Sequence, residues 1–205
     1  MHANLNKRLN IRYFSIYSKL EPEDVTVRCG EWDLRSDEQE YYAFQDRNVD
    51  SITLHPVFYD SQRKLYNDIA LVHVTEDFDL ADVEEDEFLN VAPICLPDIN
   101  GDNFRTGADD CVSMGWGKKT IDATDYEQRM KAVKDLPIVP NDECQENLRT
   151  NSRLPSRFKL HENFLCAGGI EGKDTCEGDG GGPLVCKDKD DDNRSAHSMY
   201  FHVFS

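Results

Sequence analysis

D-T-C-E-G-D-G-G-G-P, residues 174–183, is the most informative stretch of this chain, because it combines four glycines with three acidic residues. Its glycines allow a tight loop in which backbone N–H groups converge on a small space. Gly180 stands in the middle of the loop and has no side chain, so it offers no group that a neighbouring base could deprotonate. The stretch therefore predicts a loop with backbone donors for a carbonyl oxygen or an anion, and with no nucleophile at Gly180.

The length and charge of the chain narrow the class of protein. Its 205 residues suit one domain or two closely packed halves, with 39% hydrophobic residues available for a core. The formal net charge of −17 argues against nucleic acid or an anionic membrane as a partner, because phosphate groups bind to clustered Lys and Arg. No stretch is apolar and long enough to span a bilayer. The composition indicates a soluble, well-solvated surface that would suit a basic partner.

The cysteines indicate an oxidising compartment, since the chain contains seven of them. There is no C-x-x-C pair, so their spacing suits no zinc site, and we expect neither a metal nor a cofactor. Residues 1–20 contain basic side chains with no apolar run between them, so we do not interpret them as a signal peptide. Because the cysteines and the missing signal disagree, we interpret this N-terminus as not the native start of a secreted chain.

Short strand-like runs separated by turn residues dominate the chain, as in an all-β barrel or sandwich. Strands are predicted at residues 25–29, 51–54, 69–74, 111–116, 131–136, 163–167 and 183–186. A short helix is predicted at residues 141–148, with Asn141 or Asp142 as its N-cap. The acidic runs 82–87 and 187–193 lack the ligand spacing and the closing Glu of a calcium loop, so we interpret both as solvated loops.

Several motifs, in a fixed order between residues 25 and 186, resemble the chymotrypsin/trypsin-type serine proteases. The loop at 174–183 resembles the family's G-D-S-G-G-P, with Gly180 in the place of the attacking serine. V-R-C-G-E-W-D at 27–33 resembles arthropod clip-type proteases and their non-catalytic homologues, closest to the scarface- or masquerade-like group. The other matching runs are Q-D-R-N-V (45–49), I-T-L-H-P (52–56), N-D-I-A-L (67–71), P-I-C-L-P (93–97), C-V-S-M-G-W-G (111–117) and F-L-C-A-G-G (164–169).

The resemblance implies an all-β fold of two six-stranded β-barrels, incomplete at the N- and C-termini. It divides the chain into an atypical N-terminal segment (1–24), a partial trypsin-like domain (25–189) and a divergent C-terminal tail (190–205). The family's opening strands, final strands and terminal helix are not matched. We therefore expect unpaired strand edges and a chain that is marginally stable or prone to aggregation.

The family's mechanism requires a serine oxygen, a histidine that takes its proton and an aspartate that orients the histidine. Asp68, in N-D-I-A-L, resembles that aspartate, although a buried carboxylate bonded to backbone is the alternative. The A-A-H-C run that should carry the histidine is absent, and His2 is the one histidine before V-R-C-G. His55 and His73 are expected to be structural or solvent-facing. Since Gly180 replaces the serine, we expect no functional catalytic residue.

Other positions of the loop resemble binding elements of the family. The backbone N–H groups of Gly178 and Gly180 resemble its oxyanion hole. Asp179 resembles the aspartate that pairs with a new N-terminal amine after activating cleavage. Without that partner, we expect Asp179 to turn toward solvent, since an unpaired buried carboxylate is costly. Asp174 resembles the carboxylate at the base of a pocket for Lys or Arg, with an ordinary acidic loop residue as the alternative.

The resemblance also implies disulfides. Two pairs are implied in the second barrel, each contributing about 2–4 kcal/mol to stability: Cys111 with Cys186, and Cys144 with Cys166. Cys176 resembles a cysteine whose partner lies beyond this C-terminus, and Cys95 resembles one that ties the domain to an upstream clip or linker. Cys29 has no assigned partner, with Cys95 as one candidate. The odd count leaves at least one free or intermolecular thiol.

Three functions are compatible with these features. The first is a secreted, catalytically inactive serine protease homologue, a regulatory or interaction module in an extracellular proteolytic cascade of immunity, melanisation or development. Its partners would be extracellular proteases or their substrates. The second is an active trypsin-like serine endopeptidase, recorded here in damaged or truncated form. The third is a non-functional fragment or splice product. Gly180 and the absent A-A-H-C run favour the first.

Overall fold

The computed structural model describes residues 21–35, 43–61, 64–80, 91–94, 110–152, 154–187 and 203–204. Strands dominate these residues, which confirms the all-β class predicted from the sequence. The described strands form three three-stranded sheets and one two-stranded hairpin. The predicted segment 1–24, the tail 190–205 and both acidic runs fall mostly or wholly outside the described residues.

The first sheet joins strands of the N-terminal half in the order β1-β2-β5. It consists of β1 (Thr26–Cys29), β2 (Gln45–Leu54) and β5 (Ala70–Val74), which pair antiparallel. A single 3-10 turn (Pro22–Asp24) precedes β1, and a hairpin of β3 (Tyr59–Ser61) and β4 (Lys64–Tyr66) connects β2 to β5. Alternate side chains enter one core, because successive strand residues face opposite ways. This first core contains Val27, Cys29, Val49, Val72, Val74, Phe78 and Val91.

The second half of the chain builds two further sheets. β6 (Cys111–Gly115), β7 (Lys131–Leu136) and β10 (Leu184–Cys186) pair antiparallel in the order β10-β6-β7. β8 (Ile138–Val139), β9 (Leu165–Ala167) and β11 (Val203–Phe204) follow the order β11-β9-β8, with β11 parallel to β9. The helix α1 (Asn141–Asn151) lies between β8 and β9 in the chain. Strands of these two sheets enclose the second core of the chain, which contains Cys111, Leu136, Ile138, Leu165, Ala167, Leu184 and Cys186.

Two disulfides fasten this second half, and they are the two pairs that the resemblance implies. Cys111 and Cys186 lie directly opposite each other in the β6–β10 register, with Cα atoms 4.0 Å apart. Cys144 in α1 joins Cys166 in β9, with Cα atoms 6.3 Å apart. The bonds close loops with sequence separations of 75 and 22, so each restricts the unfolded chain and thereby stabilises the fold.

The start of α1 differs from the prediction. The helix begins at Asn141 as expected, but Pro140 occupies the N-cap position and neither Asn141 nor Asp142 caps the helix. The carbonyl of Pro140 accepts the N–H of Cys144 (2.8 Å), which closes the first turn. Asn141 donates its side-chain Nδ2 to the carbonyl of Phe164 (3.0 Å) instead, so tertiary contact with the segment before β9 outweighs its capping tendency.

Candidate functional site

The loop that carries Gly180 leads from β9 to β10, and the pairing of β10 with β6 in the core holds its end in place. Gly178 and Gly181 have φ angles of 97° and 82°, in the left-handed region that glycine adopts without strain. Gly180 is exposed, whereas Asp179 beside it is buried. The loop therefore presents Gly180 to solvent and is anchored through Asp179.

Asp179 does not turn toward solvent, so that prediction was wrong. Its side chain is 4% exposed, and the ammonium group of Lys131 pairs with its Oδ2 atom. Its carboxylate also accepts the backbone N–H groups of Gly117 (2.8 Å) and Cys176 (2.9 Å). Burial is tolerated because the charge is paired and both oxygens accept hydrogen bonds. The prediction failed because it considered an N-terminal amine as the partner, whereas the lysine lies 48 positions earlier in the chain.

Glycines make the space that Asp179 occupies. A Cβ atom at Gly115 would collide with Oδ1 of Asp179, and one at Gly117 would lie 2.5 Å from its Cγ. A Cβ atom at Gly182 would lie 2.7 Å from the carbonyl oxygen of Met114 and 2.8 Å from that of Asp179. Real Cβ atoms do not approach other atoms this closely, so any larger residue at these positions would displace the carboxylate or the loop.

Glu177 ties the loop to the segment 118–126. Its carboxylate accepts the ammonium of Lys118 (2.7 Å) and the hydroxyl of Tyr126 (2.9 Å), and its carbonyl accepts the backbone N–H of Lys118 (2.8 Å). The Tyr126 ring packs on Gly178, since a Cβ atom there would lie 2.6 Å from its Cε1. Two stretches that are distant in sequence thus form one surface around Gly178.

The charges of this surface shift one another's pKa values. The hydrogen bond with Lys118, and then that with Tyr126, holds the pKa of Glu177 below its ordinary value. The hydrogen bond to Glu177 raises the pKa of Lys118 and also raises the pKa of Tyr126. The ionised carboxylate therefore favours both the charged amine and the neutral phenol.

Asp68 lies in the turn between β4 and β5 and is half-buried. Asn67, just before it, has a φ of 54° and accepts the side chain of Asn163 through Oδ1 (2.6 Å). Tyr66 stacks on Phe164 with ring centroids 5.8 Å apart, and His161 lies 4.6 Å from the Tyr66 ring. The segment that resembles the catalytic aspartate thus sits where the first half of the chain meets the second.

The histidines near this meeting point are engaged in local hydrogen bonds. Nδ1 of His55 accepts the N–H of Val57 (3.3 Å), and Nδ1 of His161 accepts the N–H of Asn163 (3.2 Å). Both bonds join the imidazole ring to a backbone N–H group two residues further along its own segment. His73 is exposed on β5 opposite Ser51, and His2 lies outside the described residues. His161 was not considered in the sequence analysis, which offered no signal for its contact with Tyr66.

The remaining predicted site residues are placed as follows. Asp174 is exposed at the start of the loop, beside Lys173, whose ammonium pairs with Asp135 (2.8 Å). Cys176 is half-buried and forms no disulfide with another described cysteine. Cys29 is buried in the first core, and Cys95 lies outside the described residues. The oxyanion-hole role of Gly178 and Gly180, and the pocket role of Asp174, stay predictions.

The motif V-R-C-G-E-W-D has a structural role that the sequence did not reveal. Asp33 is 1% exposed and lies between Arg35 (2.5 Å) and Arg129 (2.8 Å). Hydrogen bonds from Arg35 and then Arg129 hold the pKa of Asp33 well below its usual range. The carbonyl of Trp32 accepts the N–H of Met130 (2.8 Å) and the indole N–H of Trp116 (3.2 Å). This motif therefore docks the first half of the chain on the segment that precedes β7.

In the part of the chain that the structure describes, no group of three or more His, Cys, Asp or Glu side chains is placed to hold a metal ion. None of its helices has the length and hydropathy needed to cross a membrane.

Comparisons with known proteins agree with this geometry. The family model described as Trypsin matches residues 16–198. The chain is 38% identical over 162 residues to Phenoloxidase-activating factor 2 of Galleria mellonella. This alignment covers 79% of the chain and 49% of the relative. It is 35% identical over 183 residues to Inactive CLIP domain-containing serine protease A8 of Anopheles gambiae, an alignment that covers 89% of the chain and 46% of the relative.

A third relative is named a serine protease without the word “inactive”. CLIP domain-containing serine protease B4 of Anopheles gambiae is 33% identical over 165 residues, with 78% of this chain and 42% of the relative covered. The chain therefore spans less than half the length of each of these three relatives. Its relatives include both proteins named as inactive and proteins named as proteases.

Proposed function

The chain belongs to the trypsin family, as a relative of clip-type serine proteases, and from this premise we propose that it is a catalytically inactive homologue. In this proposal it acts as a regulatory or interaction module of an extracellular proteolytic cascade. The relative named Phenoloxidase-activating factor 2 supports a role in an activating cascade, and the two disulfides suit an extracellular setting.

Gly180 is the observation that carries the proposal. The loop around Gly180 is ordered: Asp179 is buried against the neighbouring glycines, and the end of the loop continues into β10, which pairs with β6. The position that resembles the nucleophile nevertheless has no side chain, so no acyl-enzyme can form there. A protein that keeps the loop's architecture without its reactive group is suited to binding rather than to cleavage.

The histidines support the same proposal. Nδ1 of His55 and of His161 each accepts a backbone N–H group of its own segment, and Gly180 offers neither ring a nucleophile to activate. Backbone donors alone accelerate acyl transfer by at most roughly 10³–10⁴-fold over water. Such residual activity is far below that of a functioning serine protease.

The proposed partners are an extracellular protease or its substrate. Two relatives are named phenoloxidase-activating factors, from Galleria mellonella and Holotrichia diomphalia, which favours a cascade that activates phenoloxidase. The net charge of −17 favours a partner with a basic surface, since opposite charge speeds encounter. We propose immunity, melanisation or development as the setting, and secretion as the route.

Turnover of an arginyl ester by the purified chain tests the inactivity. We expect no hydrolysis above the buffer rate, and none after Gly180→Ser, since a serine alone has no base beside it. The matched controls are Asp68→Ala and Asp174→Ala in both backgrounds. Hydrolysis that either of these substitutions abolishes would contradict the proposal.

An active trypsin-like endopeptidase is the second candidate, favoured by the relative that is named a protease without qualification. Hydrolysis by the unchanged chain distinguishes the two candidates, because only an active endopeptidase would show it. Activity in Gly180→Ser alone would mean that a competent histidine is present, while the unchanged chain stays inactive for want of a nucleophile.

A further inference from the structure

A buried carboxylate needs its charge compensated, and the ammonium group of Lys131 meets the carboxylate of Asp179. The carboxylate holds the N–H groups of Gly117 and Cys176, so it joins the segment after β6 to the loop that carries Gly180. Its own backbone N–H donates to Cys176 and its carbonyl accepts from Gly182, both at 2.9 Å. The hydrogen bonds of Asp179 therefore hold the turn 176–182 together. Without a cation beside it, the buried carboxylate would move out toward solvent and these bonds would be lost.

Lys131 is placed at this point by the sheet itself. In the β6–β7 register Lys131 lies opposite Gly115, one of the glycines that line the Asp179 cradle. Lys131 and Val133 share one face of β7, and Val133 packs on the second core. The Lys131 side chain is 22% exposed, so most of its stem is covered while its ammonium group meets Oδ2 of Asp179.

We propose that Lys131 is the resident counter-ion of Asp179, and that this pair builds the turn 176–182 without an ammonium group supplied from elsewhere. Any other ammonium, such as an α-amine created by a cut in the chain, would have to displace Lys131. The surface formed by Glu177, Tyr126 and Lys118 depends on the same turn, so it is formed before any cleavage.

This inference goes beyond the proposed function, because it concerns how the loop is held and not whether the chain cuts a substrate. It holds for an inactive homologue and for an enzyme alike. If the Lys131–Asp179 pair proves unimportant, the proposed function is unaffected. If the chain proves to hydrolyse a substrate, the inference about the pair is unaffected.

Hydrogen exchange of the full chain, followed by NMR, tests the pair at the two amides that donate to Asp179. In Lys131→Ala we expect the amides of Gly117 and Cys176 to exchange about 100-fold faster or more, with those of β6 and β10 unchanged. Addition of n-propylammonium, which replaces the atoms deleted from the lysine, should restore their protection, and n-propanol should not. Lys131→Arg should retain it, and Lys134→Ala on the same strand is the matched control.

Unchanged exchange at both amides in Lys131→Ala would overturn the inference, as would equal rescue by n-propanol. If the variant does not fold, acetylation of the wild-type chain gives the answer. We expect Lys131 to be modified at least about tenfold more slowly than the exposed Lys134, because its ammonium is paired and covered. Equal rates in the folded protein would refute the pair.

Discussion

Glu177 shows how one carboxylate can set the protonation of its neighbours. It lies 51 positions from Tyr126 and 59 from Lys118, yet it accepts a hydrogen bond from each. The ionised carboxylate of Glu177 stabilises the charged form of Lys118, and Tyr126 donates its hydrogen bond only while its hydroxyl is protonated. The three side chains therefore share one preferred charge state at neutral pH, with Glu177 negative, Lys118 positive and Tyr126 neutral.

Tyr126 should titrate above the ordinary tyrosine pKa of about 10. Ionisation breaks its hydrogen bond to Glu177 and brings two negative charges together. Because the folded-state pKa is raised, the stabilisation is present below the unfolded value and is lost as pH rises through the folded one. A pH titration of ¹³C-labelled tyrosines by NMR measures the shift, with Tyr126→Phe to assign the signal.

Glu177→Gln should bring the pKa of Tyr126 back toward about 10, because a neutral amide removes the charge that opposes ionisation. The other tyrosine signals serve as internal controls and should keep their midpoints. A Tyr126 midpoint that is the same in the wild type and in Glu177→Gln would contradict the contact.

At the scale of elements, the β6–β7 pairing places the groups that hold the loop. The register shifts between Cys111 and Ser113, where two residues of β7 lie opposite one residue of β6, and Asp135 has a φ of 55°. This bulge brings both Val133 and Leu136 toward the second core, although they are three positions apart. It also leaves Lys131 opposite Gly115, beside the Asp179 cradle.

Removal of the disulfide between α1 and β9 should destabilise the fold. We expect Cys144→Ala with Cys166→Ala to lower the free energy of unfolding by about 2–4 kcal/mol, because the unfolded chain regains the freedom of a 22-residue loop. For a chain of this size that corresponds to a Tm lower by roughly 5–15 °C, measured by calorimetry. Cys176→Ala is the control, with an expected change below about 1 kcal/mol. Equal Tm values for the double variant and the wild type would refute this.

At the scale of the whole molecule, the residues that the structure describes join the two halves of the chain at two places. One is the docking of Trp32 and Asp33 on the segment before β7. The other places Tyr66 and Asn67 against the segment 161–164. Both involve motifs that identify the family, so those motifs serve the joint between the halves as well as any site.

The ion pairs of Asp33 should make stability depend on acid. Arg35 and Arg129 depress its folded-state pKa, so its contribution is present above the unfolded value of about 3.9 and is lost as pH falls below that value toward the folded one. Between pH 5 and pH 2, the Tm of the wild type should therefore fall more steeply than that of Asp33→Asn. Calorimetry across that range measures the difference.

Asp110→Asn is the matched control for Asp33, because Asp110 is exposed and pairs with Lys187 at the surface. Its Tm should follow the wild type at every pH. If Asp33→Asn and the wild type lose stability in parallel, the ion pairs of Asp33 do not couple the two halves of the chain.

The sequence predicted the strands well where a run alternates between buried and exposed positions. The strand predicted at 131–136 has the bounds of β7, and those predicted at 25–29 and 111–116 differ from β1 and β6 by one residue. The hairpin of β3 and β4 was missed, since strands of three residues carry too little periodicity. β2 begins six residues before the predicted 51–54, because its first part, residues 45–48, pairs with β1 and carries polar side chains.

The sequence alone was enough to identify Gly180 as a position without a nucleophile and to predict the all-β class. Its resemblance to the family also implied the two disulfide pairs. The partners became visible only in the folded chain, where Lys131 pairs with Asp179, Tyr126 packs on Gly178 and Arg129 pairs with Asp33. The physical reason is that residue identity is local, whereas pairing across 48 to 96 positions depends on strand register and close packing. Asp179 could be recognised in the chain, but the cation that keeps it buried could not.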